Sequence, residues 1–173
     1  MIIAISGLTG SGKTTIGDMV AKRLRIKHVS MTHKKFIPAG KALLKFSKNA
    51  TPQFERSFDQ EIIREARMED SVVTTWLGPW LIKDAVVKVW LHASLDTRIK
   101  RKIKELGKPL KHAKEYVIEK DNTNRRRYKK IYGIDLDNRR VFDIDINTDK
   151  VSISQAADLI IALVKIKTKK HGR

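Results

Sequence analysis

Cysteine is absent from the 173 residues, which excludes disulfides, thiolate nucleophiles and cysteine-ligated zinc. Aromatic residues make up only 6%, and they are not interleaved with basic residues as in a single-stranded nucleic-acid groove. No apolar run reaches the ~18 residues of a membrane span. Only Met1–Ser6 precedes a glycine-rich segment, too little for the apolar core of a signal peptide. These absences predict a soluble, cytoplasmic protein with no membrane partner. The histidines, His28, His33, His92, His112 and His171, lack metal-ligand spacing.

Acidic residues are also scarce, 19 against 37 Lys and Arg, for a net charge of +18. Half of that excess lies in residues 95–130, with 14 Lys and Arg against 5 Asp and Glu. A second basic run is the tail, Lys165, Lys167, Lys169, Lys170 and Arg173. Such clusters suit polyphosphates or nucleic acid, so RNA is a candidate partner for segment 95–130 and the tail.

What is present reads as one domain over 1–173. Met1–Ser6 is an apolar run ending in glycine, the pattern of a buried parallel strand. Ile16, Met19, Val20 and Leu24 then share one helical face. Lys27–Ser30, Val72–Thr75, Val86–Leu91 and Val141–Asn147 read as further strands. Thr51-Pro52 opens a helix with Phe54, Phe58, Ile62 and Ala66 along one face. Ser94 caps another, its core face predicted as Leu95, Ile99, Ile103 and Leu106. Gly107-Lys108-Pro109 stops it before a polar helix to about Tyr132. Ser152-x-x-Gln155 has the form of a capping box. Alternating strands and helices of this kind predict a three-layer α/β fold with a central parallel sheet.

The chemistry begins at Gly7-Leu8-Thr9-Gly10-Ser11-Gly12-Lys13-Thr14. This P-loop pattern follows a strand and opens an amphipathic helix, so its backbone N–H groups can cradle a triphosphate at a helix N-terminus. Lys13 is the candidate for the β- and γ-phosphates, Thr14 for Mg²⁺, and Thr15 for the α-phosphate, with ATP as the nucleotide. The third strand runs into Thr74-Thr75-Trp76 without a carboxylate, unlike motor-type or switch-type ATPases.

Arg127-Tyr128-Lys129-Lys130-Ile131-Tyr132-Gly133-Ile134-Asp135, followed by Asp143 and Ile146-Asn147-Thr148, resembles the signature of the archaeal-type cytidylate kinases. Trp90-Leu91-His92-Ala93 with Arg98 and Arg101, and Phe46-Ser47-Lys48, Pro52, Arg56 and Asp59, are similar to other segments of that family. The resemblance covers nearly the whole chain. It implies a P-loop NTPase fold with an acceptor-binding helical insertion at about 31–70 and a lid at about 107–127. It also implies transfer of the ATP γ-phosphate to CMP or dCMP, with Arg127 as the lid arginine joining Lys13 in catalysis. Arg98, Arg101, Arg125 and Arg126 can each simply face solvent.

Three positions depart from the family pattern. The family's Gly-x-x-Phe-Arg element corresponds to Ser30-Met31-Thr32-His33-Lys34-Lys35-Phe36, where Lys34 or Lys35 can replace the arginine without its bidentate fork. Its Glu-Gly-Arg-Leu reads Thr74-Thr75-Trp76-Leu77, and its first lid arginine is Lys120. Ser30, Lys35, Asp59 and Trp76 are therefore the candidate acceptor-site residues. Trp76 and Trp80 can stack on a base or fill the core, and Met19, Met31 and Met68 read as filler. Two alternatives stand beside a CMP kinase. One is a P-loop protein of RNA or ribosome assembly; the other is a kinase with a different small-molecule acceptor.

Overall fold

The computed structural model describes residues 1–30 and 51–170. Five strands form one sheet of order β2-β3-β1-β4-β5. They are β1 (Ile2–Gly7), β2 (Lys27–Val29), β3 (Ser71–Thr74), β4 (Val87–His92) and β5 (Ile144–Asn147). Every pairing is parallel; Ala4 lies opposite Val73 on one side and Lys88 on the other. The helices are α1 (Lys13–Leu24), α2 (Pro52–Ala66), α3 (Gly78–Leu81), α4 (Leu95–Leu106), α5 (Leu110–Tyr132) and α6 (Ile153–Lys170).

Strand alternation divides the core into two layers. Ile3, Ile5, Val72, Val87 and Val89 meet Ile16 and Val20 of α1 and Ile160 and Val164 of α6. Ile2, Val29 and Val73 meet Ile62 and Ala66 of α2 and Ile82 on the opposite face. Central strands buried on both faces need apolar residues at successive positions, and β1 is buried throughout. The three-layer α/β arrangement is the one the sequence predicts.

The caps follow local chemistry. Thr51 Oγ1 accepts the Phe54 N–H at 3.1 Å. Ser94 Oγ accepts from Thr97 N at 3.3 Å. Ser152 and Gln155 bond reciprocally, at 2.8 and 3.2 Å, each satisfying an otherwise unpaired donor of a helix first turn.

Two expectations are corrected. The last strand begins at Ile144, not Val141. Phe142 turns inward onto Trp80 and Trp90, at centroid distances of 5.0 and 5.3 Å, and its N–H bonds back to Arg139. On α4, Leu95 and Leu106 are exposed, and Ile99 and Ile103 alone pack against Ala113 and Val117 of α5. Arg98 takes a buried place on this helix instead, because its partners lie on the glycine-rich loop.

Candidate active site

The loop between β1 and α1 stands at the carboxyl end of the central strand, where open parallel sheets bind ligands. Its path depends on close approach. A Cβ at Gly7 would stand 2.2 Å from the Leu91 carbonyl oxygen, and one at Gly10 would stand 2.8 Å from that of Arg98. The first turn of α1 has neither a side-chain cap nor an acidic residue, so its N–H groups are left to an anion. Thr14 and Thr15 lie exposed there.

Lys13 folds back over its own loop. Its Nζ donates to the carbonyls of Gly7 at 2.7 Å and Leu8 at 3.0 Å, and lies 4.9 Å from the centre of the Trp76 ring. Burial pushes its pKa from 10.5 down to about 7, helped by the charges of Lys120, Lys102 and Arg98 and opposed by Asp121. A lysine crowded by cations and poorly solvated gains most when an anion arrives.

The walls of the loop come from distant parts of the chain. Arg101 Nη1 donates to the Gly10 carbonyl at 3.1 Å and to Thr148 Oγ1 at 3.0 Å, while Nη2 donates to the Thr148 carbonyl at 2.8 Å. The Thr148 hydroxyl is itself within bonding distance of the Ser11 and His92 carbonyls. Beside them opens a crevice of about 450 Å³ lined by Gly12, Thr15, Ile16, Arg101, Val151 and Ile153 among others. Asp121 and Arg98 hold the crest of the loop from the other side.

Beyond Lys13, Trp76 leans on Tyr128 at 6.3 Å, and the Arg127 guanidinium lies 5.1 Å from the Tyr128 ring centre. Lys13 and Arg127 thus stand at the two ends of one aromatic shelf. Arg127 Nη1 is 2.9 Å from Glu55 Oε1 in an ion pair whose side chains are 11% and 1% exposed. The Tyr132 hydroxyl donates to Asp59. Burial, and then that bond, push the Tyr132 pKa up, so the phenol remains a donor. Ser30 is half-buried beyond the end of β2. Lys34, Lys35 and the Phe46-Ser47-Lys48 segment lie outside the described residues.

The solvent-facing option for Arg98 and Arg101 is corrected: both bind the loop, since backbone carbonyls turned outward by its tight path need donors. Arg125 pairs with Asp137 near the surface, and Arg126 is exposed. Trp80 is a core residue set edge-on to Trp90 and Phe142. Part of the basic excess in 95–130 is turned inward: Arg98 is buried, and Lys102 and Lys120 flank Tyr116, at 5.9 and 5.3 Å from the ring centre. Asp121, Glu55 and the loop contacts of Thr148 are additions to the sequence reading. Asp121, one of few acids amid 14 cations, was the visible signal for an internal partner. Thr74 and Thr75 bond His28 and the Gly78 N–H. Among the described residues no cluster of three His, Asp or Glu forms a metal site, and no helix is long and apolar enough to cross a membrane.

Residues 30–150 match the model of the cytidylate kinase-like family. The chain belongs to that family. The cytidylate kinase of Sulfurisphaera tokodaii is 36% identical, with 99% of each chain covered. That of Pyrococcus horikoshii is 34% identical over 88% of this chain and 82% of its own. In structure, the deoxyadenosine kinase from M. mycoides with bound dATP superposes with a TM-score of 0.62 at 15% identity, covering 95% of this chain and 100% of the other. That likeness speaks for the P-loop kinase fold alone. In this member of the cytidylate kinase-like family, residues 127–135 occupy the last turns of α5 and the turn that follows.

Proposed function

We propose that this protein is an ATP-dependent nucleoside monophosphate kinase that phosphorylates CMP and dCMP in the cytoplasm. The observation that carries the reading is the complete phosphate loop, with Lys13 above it, in a chain of the cytidylate kinase-like family. The acceptor phosphate is already an anionic nucleophile, so no general base of special pKa is needed. One of its oxygens bonds to the γ-phosphorus as the bond to the β,γ-bridging oxygen breaks, leaving ADP and CDP. The protein supplies position and positive charge.

In this reading Gly7, Leu8, Thr9, Gly10, Ser11, Gly12, Lys13, Thr14 and Thr15 form the donor site. The crevice beside Arg101 takes the base of ATP. Lys13 leaves the Gly7 and Leu8 carbonyls for the β- and γ-phosphates, and Arg127 acts from the lid, at about 107–127, on the transferring group. The exposed Thr14 hydroxyl at the first turn of α1 would be the protein's donor to Mg²⁺. The ion would supply neutralisation of the charge on the phosphates. Ser30, Asp59 and Trp76 are assigned to the acceptor side, and Lys35 is assigned there from the sequence pattern alone. The exposed lysines of α4 and α5 carry no feature that favours RNA over solvent.

The deciding experiment is coupled ADP release with ATP and Mg²⁺ across CMP, dCMP, UMP, AMP, GMP and dTMP. CMP and dCMP should raise the rate well above background hydrolysis. A rate that no monophosphate raises would sink the reading.

A further inference from the structure

Thr9, at the crest of the loop, is gripped on both sides. Its N–H donates to Asp121 Oδ1 at 3.0 Å, and its C=O accepts from Arg98 Nη1 at 3.0 Å. The same guanidinium nitrogen donates to Asp121 Oδ2 at 2.6 Å. Thr9, Arg98 and Asp121 are 4%, 7% and 3% exposed. Three elements that are far apart in sequence therefore meet at a single residue: the loop, α4 and α5.

This arrangement is a poor device for stability. A buried ion pair loses about as much in desolvation as it gains, and an apolar pair of similar volume often serves the fold as well. Two further polar atoms, Thr9 Oγ1 and Arg98 Nε, are buried without a hydrogen-bond partner among the described residues, each an added cost. What the network gives in return is geometry. Thr9 is followed at once by Gly10, whose left-handed φ of 78° sets the turn into the anion nest. Asp121 is also the neighbour of Lys120. Adjacent helical residues point about 100° apart, so fixing Asp121 on Thr9 fixes the direction of Lys120. That side chain lies with its Nζ 3.1 Å from the Tyr116 hydroxyl, near enough for its charge to be felt by Lys13.

We propose that Asp121 is a positioning residue: by holding the Thr9 N–H it sets the loop for the triphosphate and aims Lys120 of α5 at the same anion. The inference rests on the loop being the ATP site, and it is tested by ATP binding without any acceptor. Failure to phosphorylate CMP would therefore leave the test intact. Calorimetric titration with ATP and Mg²⁺ is compared with thermal unfolding for three changes.

The double variant Arg98→Met, Asp121→Leu replaces the pair with apolar volume. Its Tm is expected within about 5 °C of the parent, while its Kd for ATP rises about tenfold or more. A Kd within about twofold of the parent, with the pair gone, would overturn the proposal. Asp121→Asn keeps an acceptor for the Thr9 N–H at nearly the same volume, so its Kd should stay within about threefold. A loss of about tenfold in this variant overturns the pinning role by itself, whether or not the double variant folds. Lys120→Met should weaken ATP binding in the parent, but by less than about twofold further once Arg98 and Asp121 are replaced. Full multiplication of the two losses would refute the aiming of Lys120.

Discussion

In the proposed reading, the donor end and the acceptor end of the site are built by different rules. Around the phosphate loop the distant segments are held by hydrogen bonds of fixed direction: Asp121 and Arg98 on Thr9, Arg101 on Gly10, and Thr148 against Ser11. At the acceptor end the described contacts are broader: an aromatic shelf of Trp76 and Tyr128, with Arg127 paired to Glu55. The phosphate loop keeps its full motif, while Thr74 and Trp76 stand where the family resemblance implies a carboxylate and an arginine. Triphosphate recognition by backbone N–H groups leaves little room for substitution, because the nest is made of main chain. Recognition of an acceptor phosphate by side chains can drift from fork to point charge, with a loss in affinity and no loss of fold.

Lys13→Ala should break the donor end most severely. Turnover is expected to fall by about a thousandfold or more, measured as ADP release at saturating ATP and CMP. Unchanged turnover would refute the assignment of Lys13.

Arg127→Lys tests whether the acceptor end also holds a group that acts on the reaction. The charge stays and the fork is lost, so kcat should drop by about tenfold to a hundredfold. The Kd for ATP should move less than about twofold. Arg125→Ala, at the surface beside Asp137, should change kcat by less than about twofold. Equal small losses in both variants would place Arg127 among structural ion pairs.

Trp76→Arg asks whether drift at the acceptor end can be reversed. A guanidinium gripping two phosphate oxygens should lower KM for CMP by about threefold to tenfold. A KM that does not move would show that the shelf has taken over the binding.

The smallest effect concerns stability and pH. Lys13 has a depressed folded pKa, about 7 against 10.5, so the unfolded chain binds more protons between those values. Stability of the nucleotide-free protein should rise with pH across that window. Lys13→Met removes the buried charge, so its gain is largest below pH 7 and absent above about 10.5. Unfolding curves at pH 6.5 and 9 check the sign; an equal gain at both pH values would mean that burial of the charge is not the cause.

Local signals carried most of the fold. Caps at Thr51, Ser94 and Ser152 act within one turn, and an apolar period declares a helix face such as Ile16 and Val20 without outside help. The donor loop was legible for the same reason, since its chemistry is contiguous from Gly7 to Thr15. Asp121 was not, because its partner is the backbone of Thr9, 112 positions away, and main-chain groups carry no sequence signature. Arg98 reads as solvent-facing because the apolar pattern gives the buried face of its helix to Leu95, Ile99, Ile103 and Leu106. The tertiary need for a donor at the Thr9 carbonyl outweighed that apolar pattern. Phe142 likewise left the expected strand for an aromatic cluster that residues 139–145 alone do not announce.

Thr148 joins the loop near the beginning of the chain to the turn after the final strand, and Arg101 closes the joint. The crevice beside the loop takes part of its wall from Val151 and Ile153, far along the chain from the phosphate motif. A variant that frees Thr148 would keep the complete motif and still loosen that wall. In the proposed reading, a nucleotide held there would tie β5 and the turn after it to the loop, so that ligand binding would steady one edge of the sheet.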